Sequence, residues 1–169
     1  FVSYDTSTHV HVMMNNVHMG RFNVSNQYRP GVKELIPGLR KNNFGLYVLS
    51  GDNDTEKNNL QSIFGSATTM QFEQSPQQKL DFIKTLQENK RVLMLGDGLN
   101  DAGALMQSNV GIAVSDITAQ FSPACDAILD GGKVALLNNF MAFARSGKTI
   151  VTASFILSIL YNIVGLSFA

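Results

Sequence analysis

The chain has 169 residues, and its pattern predicts an α/β fold with a parallel sheet, followed by a long helix that runs into a membrane. Three observations carry this expectation. The apolar run Val92-Leu93-Met94-Leu95 lacks alternation and leads straight into Gly96-Asp97-Gly98, as a strand buried on both faces leads into a tight turn. A second run, Gly45 to Leu49, ends in Ser50-Gly51-Asp52. Positions 149–169 contain no charged residue, which is length enough to cross a bilayer as a helix.

Composition excludes several function classes. The chain has 13 basic and 13 acidic residues and no net charge, so no basic field points to nucleic acid and no acidic tail points to disorder. The single Cys125 rules out an internal disulfide and supplies no cysteine-based zinc pattern. The chain opens on Phe1 without a signal peptide, and the expectation is a piece of a longer polypeptide.

Taken in order, residues 9–14 and 17–24 read as a hairpin around Asn15-Asn16, with His9, His11 and Met13 on one face. His18 and Met19 add to a content that invites a metal-site reading. Period-two spacing makes no closed coordination shell by itself, and a sheet face at the end of a preceding domain is the favoured reading. Pro30 opens a helix with Val32, Leu35, Ile36 and Leu39 on one face, which Pro37 is expected to limit or kink. The strand Gly45–Leu49 follows, then a short helix over 54–64 with Leu60, Ile63 and Phe64 inward. Ser75-Pro76-Gln77-Gln78 is a helix start with a capping box, and Leu80, Ile83 and Leu86 follow at helical spacing. Asn100 or Asp101 can cap a helix over Ala102–Gln107. Buried strands are expected over Asn109–Val114 and Asp126–Leu129, a turn at Gly131-Gly132, and one helix from Val134 into the membrane stretch. Lys133, Arg145 and Lys148 precede that stretch and mark its cytoplasmic side.

The chemistry gathers at strand ends. Asp97 stands at the carboxyl end of a central strand, where open α/β sheets place ligands. Asp101 follows four positions later. Two carboxylates this close repel unless a cation lies between them, and Mg²⁺ suits carboxylate, water and phosphate oxygens. Ser50 offers a hydroxyl, and Gly51 offers a backbone N–H to a phosphate oxygen. Lys79 lies in the first turns of a helix, where the dipole disfavours a cation.

The string Gly96-Asp97-Gly98-Leu99-Asn100-Asp101-Ala102 resembles the Gly-Asp-Gly-x-Asn-Asp signature of P-type ATPases, ion pumps whose phosphorylation domain is haloacid-dehalogenase-like and of Rossmann type. Gly103 stands where that family usually has Pro. Ser50-Gly51-Asp52 resembles its Thr-Gly-Asp motif, and Pro76-Gln77-Gln78-Lys79 its Pro-x-x-Lys. Tyr161-Asn162 resembles the pair that heavy-metal pumps, the copper group especially, carry in the first membrane helix after the phosphorylation domain.

The resemblance implies a domain plan. Residues 1–23 would end a nucleotide-binding domain, with Asn26 to Pro30 as the hinge back. Residues 24–132 would be the carboxyl-terminal part of the phosphorylation domain, 133–148 a stalk helix and 149–169 a transmembrane helix, with 1–148 cytoplasmic and the parent in the cell (inner) membrane. It also implies a mechanism. ATP phosphorylates an Asp, and Asp97 and Asp101 hold Mg²⁺. Lys79 and Ser50 hold phosphoryl oxygens, Gly51 supplies its N–H and Asn100 orients the loop. Asp52 serves either that site or the hinge. Tyr161 and Asn162 meet the transported ion, with Cu⁺ favoured. The implied partners are the remainder of the same polypeptide, the lipid bilayer and a metallochaperone. No Asp-Lys-Thr-Gly-Thr, Thr-Gly-Glu or Cys-Pro-Cys occurs in the chain, so the chain alone is expected to be inactive. An anchored phosphatase of the same superfamily and a non-catalytic, membrane-anchored Mg²⁺- or partner-binding module are the competing expectations.

Overall fold

The computed structural model describes residues 8–24, 28–116 and 124–168. The start of the hairpin domain, residues 1–7, and part of the expected hinge, residues 25–27, lie outside the described residues.

Strands β1 (Thr8–Met14) and β2 (Val17–Val24) form the expected antiparallel hairpin. Asn15 and Asn16 both take positive φ, 49° and 62°, the two-residue turn whose twist matches that of paired strands. Helix α1 spans Val32–Lys41 and starts two residues later than Pro30. It continues through Pro37 rather than ending there. Burial of Leu35, Ile36 and Leu39 on one side, with Arg40 and Lys41 at its negative end, holds the last turn in place.

Strand β3 is only Tyr47–Leu49. A 3-10 turn over Asp54–Glu56 leads into α2, Lys57–Phe64. Strand β4, Thr69–Gln71, pairs parallel with β3; no expectation covered it. Helix α3, Pro76–Gln87, opens with the capping box, Ser75 and Gln78 each bonding the other's backbone N–H. Strand β5 (Leu93–Gly96), helix α4 (Ala102–Gln107), strand β6 (Val110–Ser115) and strand β7 (Ala127–Asp130) follow. The three strands pair parallel in the order β5-β6-β7. A 3-10 segment, Gly131–Leu136, runs into α5, Leu137–Ser167.

The parallel strands therefore form two separate ladders, β3-β4 and β5-β6-β7. Two apolar clusters flank the larger one. One joins α1 to the sheet through Leu35, Ile36, Ile112, Leu129, Val134 and Leu137. The other joins α3 and α4 to it through Ile83, Met94, Ala104, Leu105 and Ala113. Leu105, with no exposed surface, anchors α4 and so fixes the loop just before it. Among the described residues one helical segment, Gly131–Ser167, is long and apolar enough to cross a membrane, and its most apolar stretch is not buried against the rest of the chain.

Candidate phosphoryl-transfer site

The loop between β5 and α4 carries the two carboxylates in different environments. Asp97 is exposed, and its Oδ1 accepts the backbone N–H groups of Leu99 and Asn100, both at 3.1 Å. The Asn100 side-chain amide approaches Oδ2 at 3.4 Å. Gly98 makes this turn with φ at +81°, which a side chain would strain. Asp97 is thus pinned by its own loop.

Asp101 is held by a different element. It occupies the N-cap position of α4 but makes no side-chain cap, which corrects the capping expectation. Its Oδ1 instead accepts from Lys79 Nζ at 2.8 Å, with the two side chains only 15% and 11% exposed. Loss of one cap bond costs about 1 kcal/mol, less than a buried carboxylate without a partner would cost. Gly96 makes the arrangement possible: a Cβ there would lie 2.7 Å from Asp101 Oδ2. The awkward helix position of Lys79 is explained as well, since its ammonium is aimed at Asp101 rather than at solvent.

Ser50 closes β3 and ties it to the next loop. Its N–H bonds Gln71 O at 2.9 Å, and its carbonyl accepts from Gln74 at 2.9 Å. Its hydroxyl oxygen accepts the Asp52 N–H at 3.1 Å, leaving the O–H proton available to a ligand. Gly51 and Asp52 are exposed. Ser50 and Asp52 border a small cavity of about 360 Å³ that Tyr28 and Glu56 also line. Tyr28 donates to Glu56 Oε2 at 3.0 Å. Burial first, then the Glu56 carboxylate, pushes the Tyr28 hydroxyl up to about 12.

A larger cavity of about 740 Å³ lies between the two ladders. β3 lines one side through Tyr47, Val48 and Leu49, and β5 lines the other through Leu93, Met94 and Leu95. Asp97 and Asp101 line it too. Arg29, which the sequence reading did not single out, also lines it and pairs with Asp116. A lone Arg before a Pro carries no motif, so only the fold could bring it in.

The sequence-predicted residues therefore fall into three groups. Lys79, Asp97, Asn100 and Asp101 meet at one strand end. Ser50 and Gly51 stand at the end of β3, in the other ladder. Tyr161 and Asn162 lie far along α5 and are exposed.

Comparison with known proteins agrees with this architecture. A family model described as haloacid dehalogenase-like hydrolase matches residues 5–109. The chain is 29% identical over 162 residues to the chloroplastic copper-transporting ATPase PAA1 of Arabidopsis thaliana, covering 95% of this chain and 17% of that protein. It is 31% identical over 153 residues to copper-transporting ATPase 1 of Mus musculus, covering 89% of this chain and 10% of that protein. The chain thus spans a fifth or less of these relatives. Among solved structures, the catalytic CPx-ATPase domain CopB-B is 27% identical, with a TM-score of 0.57, covering 75% of this chain and 51% of that one. A zinc-transporting PIB-type ATPase shares the fold, with a TM-score of 0.72 at 23% identity over 88% of this chain and 24% of that one. With its parallel strands, its strand-end carboxylates and this match over most of its length, the chain belongs to the haloacid dehalogenase-like hydrolase family.

Proposed function

We propose that the chain supplies one half of the phosphorylation site of a heavy-metal P-type ATPase, with Cu⁺ as the favoured cargo and ATP as the phosphoryl donor. The observation that carries this reading is the position of Lys79, Asp97, Asn100 and Asp101 at the end of β5, beside a strand-lined cavity. β3 and β5 lie on opposite sides of that cavity and, among the described residues, share no ladder, so each offers an edge of backbone groups to a further strand. An apolar slot between two such edges suits one further strand. In this reading the strand comes from elsewhere in the longer polypeptide and carries the Asp that is phosphorylated.

Each residue then has a role. Asp97 and Asp101 offer hard carboxylate oxygens, a donor set that fits Mg²⁺; the ion would neutralise charge on the transferring phosphoryl group. Asn100 keeps the Asp97 loop in shape. Lys79 uses one of its three N–H donors on Asp101 and keeps two for phosphoryl oxygens. The Ser50 hydroxyl and the Gly51 N–H approach the same group from the far side. Preorganised donors of this kind stabilise a transferring phosphoryl group without reorganisation. Asp52 stands beside them and suits the hinge equally well.

In the membrane helix, Ser154, Ser158, Tyr161, Asn162 and Gly165 fall within an arc of about 100° at 3.6 residues per turn. An Asn on that stripe faces protein or an ion pathway rather than lipid, which supports a place for Tyr161 and Asn162 beside the cargo. Residues 1–23, 24–132, 133–148 and 149–169 are assigned as the end of the nucleotide-binding domain, the phosphorylation-domain part, the stalk and the membrane helix. Residues 1–148 are placed in the cytoplasm. A metallochaperone would deliver the cargo.

The test is phosphoenzyme formation from labelled ATP in the full polypeptide. Copper-dependent, acid-stable labelling that disappears in Asp97→Asn and is retained in Asp52→Asn supports the reading. Labelling that ignores metal, with hydrolysis of small phosphate esters, would replace the pump with an anchored phosphatase.

A further inference from the structure

The hairpin holds a pair of imidazoles that the phosphoryl-transfer reading does not use. His11 Nδ1 lies 3.0 Å from His18 Nε2, and the ring centroids are 5.2 Å apart. The residues are exposed, so the pair is open to solvent and to ions.

A register shift creates this pair. From Thr8 to Val12 the strands pair regularly, ending at Val12 opposite Gly20. Continued without a shift, Met13 would face Met19 and Met14 would face His18. Because successive residues point to opposite faces, His18 would then stand on the far face from His11. The shift between Val12 and Met13 places Met13 opposite His18 instead, with Met19 as the extra residue. His18 is thereby moved to the face of His11 and Met13. A β-bulge is a recurrent way to re-aim a side chain.

From these positions we infer that His11 and His18 form a surface site for a late first-row transition-metal ion, with Cu²⁺ bound most tightly. Metal–imidazole bonds are about 2.0–2.1 Å long, so two nitrogens bound cis to one ion stand roughly 3 Å apart. In the structure the two nitrogens face each other as a hydrogen-bonded pair, one ring donating to the other; an ion would replace the shared proton, and both exposed rings would turn so that their lone pairs converge on it. Binding requires each ring to carry its hydrogen on the outer nitrogen, so that two lone pairs converge. Imidazole suits Cu, Ni and Zn, and affinity rises to Cu²⁺ along the divalent series.

His9 supports the face. It meets His11 edge to face, with centroids 6.3 Å apart, and its Nδ1 lies 2.9 Å from Asn23 Oδ1. That amide oxygen accepts the Nδ1–H and holds the His9 ring against His11. Met13 adds a soft thioether on the same side. Among the described residues no three His, Cys, Asp or Glu side chains converge on one point. The protein's share is therefore two imidazoles, with water completing the shell. An ion held by both strands would also pin the shifted register.

The test uses the full chain in detergent micelles, titrated with Cu²⁺ and read by electron paramagnetic resonance and calorimetry. One equivalent should bind with a two-nitrogen hyperfine pattern. His11→Ala and His18→Gln should each weaken it at least about tenfold and leave a pattern with one nitrogen fewer. His18→Gln keeps a polar side chain of similar reach, and an unchanged melting temperature shows that the variant is folded. Unchanged affinity in either folded variant, or an unchanged nitrogen pattern, would overturn the site.

Discussion

The two parallel ladders of this chain solve the same problem to different degrees. β5-β6-β7 packs against α3 and α4 through one apolar cluster and against α1 through the other. Its strand-end charges, Lys79 and Asp101, neutralise one another. β3-β4 has two three-residue strands, and β3 lines the cavity that separates it from β5. The first ladder is packed on both faces with its nearby charges paired, whereas the second leaves β3 beside the cavity. In the proposed function, the difference means that the carboxylates are organised before the nucleophile joins them.

The sharpest way to break this contrast is Leu105→Ala. Truncating a side chain with no exposed surface should cost about 3–5 kcal/mol, read by chemical denaturation, and should free the Asp101 loop. If the packed ladder is not the stable one, the loss will be far smaller. Asp101→Ala comes next. It leaves the Lys79 ammonium nearly buried without a partner and should cost about 3 kcal/mol. Lys79→Met together with Asp101→Leu should recover most of that loss while leaving the full polypeptide without phosphoenzyme. Ser75→Ala removes a helix cap and should cost about 1 kcal/mol, a local effect on α3.

The smallest effect concerns the cavity beside Ser50. Tyr28 should titrate near pH 12 in a difference ultraviolet titration against Tyr28→Phe. Glu56→Gln should lower that value only partway, because burial is the larger cause. The folded state holds the Tyr28 proton more tightly than the unfolded chain does. This contribution to stability is therefore full below about pH 10 and is lost as pH rises through 12.

The parts of the fold that were legible in the sequence are those with local signals. The helix over Ala102–Gln107 has the bounds expected of it. The Asn15-Asn16 turn and the capping box at Ser75 also stand as read. β4 was not legible, because three residues with an exposed Thr69 carry no period. The start of α1 shifted to Val32 because Gly31, in left-handed backbone, takes the N-cap. At the site, the residues at the strand ends were legible as motifs, but their pairing was not. That Asp101 gives up its capping role for Lys79, 22 positions away in sequence, depends on how α3 meets α4. The meeting of His11 and His18 depends on one bulged residue, which alternation alone reads the other way.

α5 has a mechanical consequence. Its 31 residues form one unbroken rod of about 46 Å at 1.5 Å per residue. Its root is clamped: Leu137 is 2% exposed, and Asn138 donates to Leu35 O at 3.1 Å. Such a rod turns with the body that grips it. A tilt of a few degrees at the clamp displaces its far end by about 4 Å over that length, more than the diameter of a bare metal cation. In the proposed arrangement, the body that grips Leu137 and Asn138 thus holds the short arm of a lever whose long arm crosses the membrane.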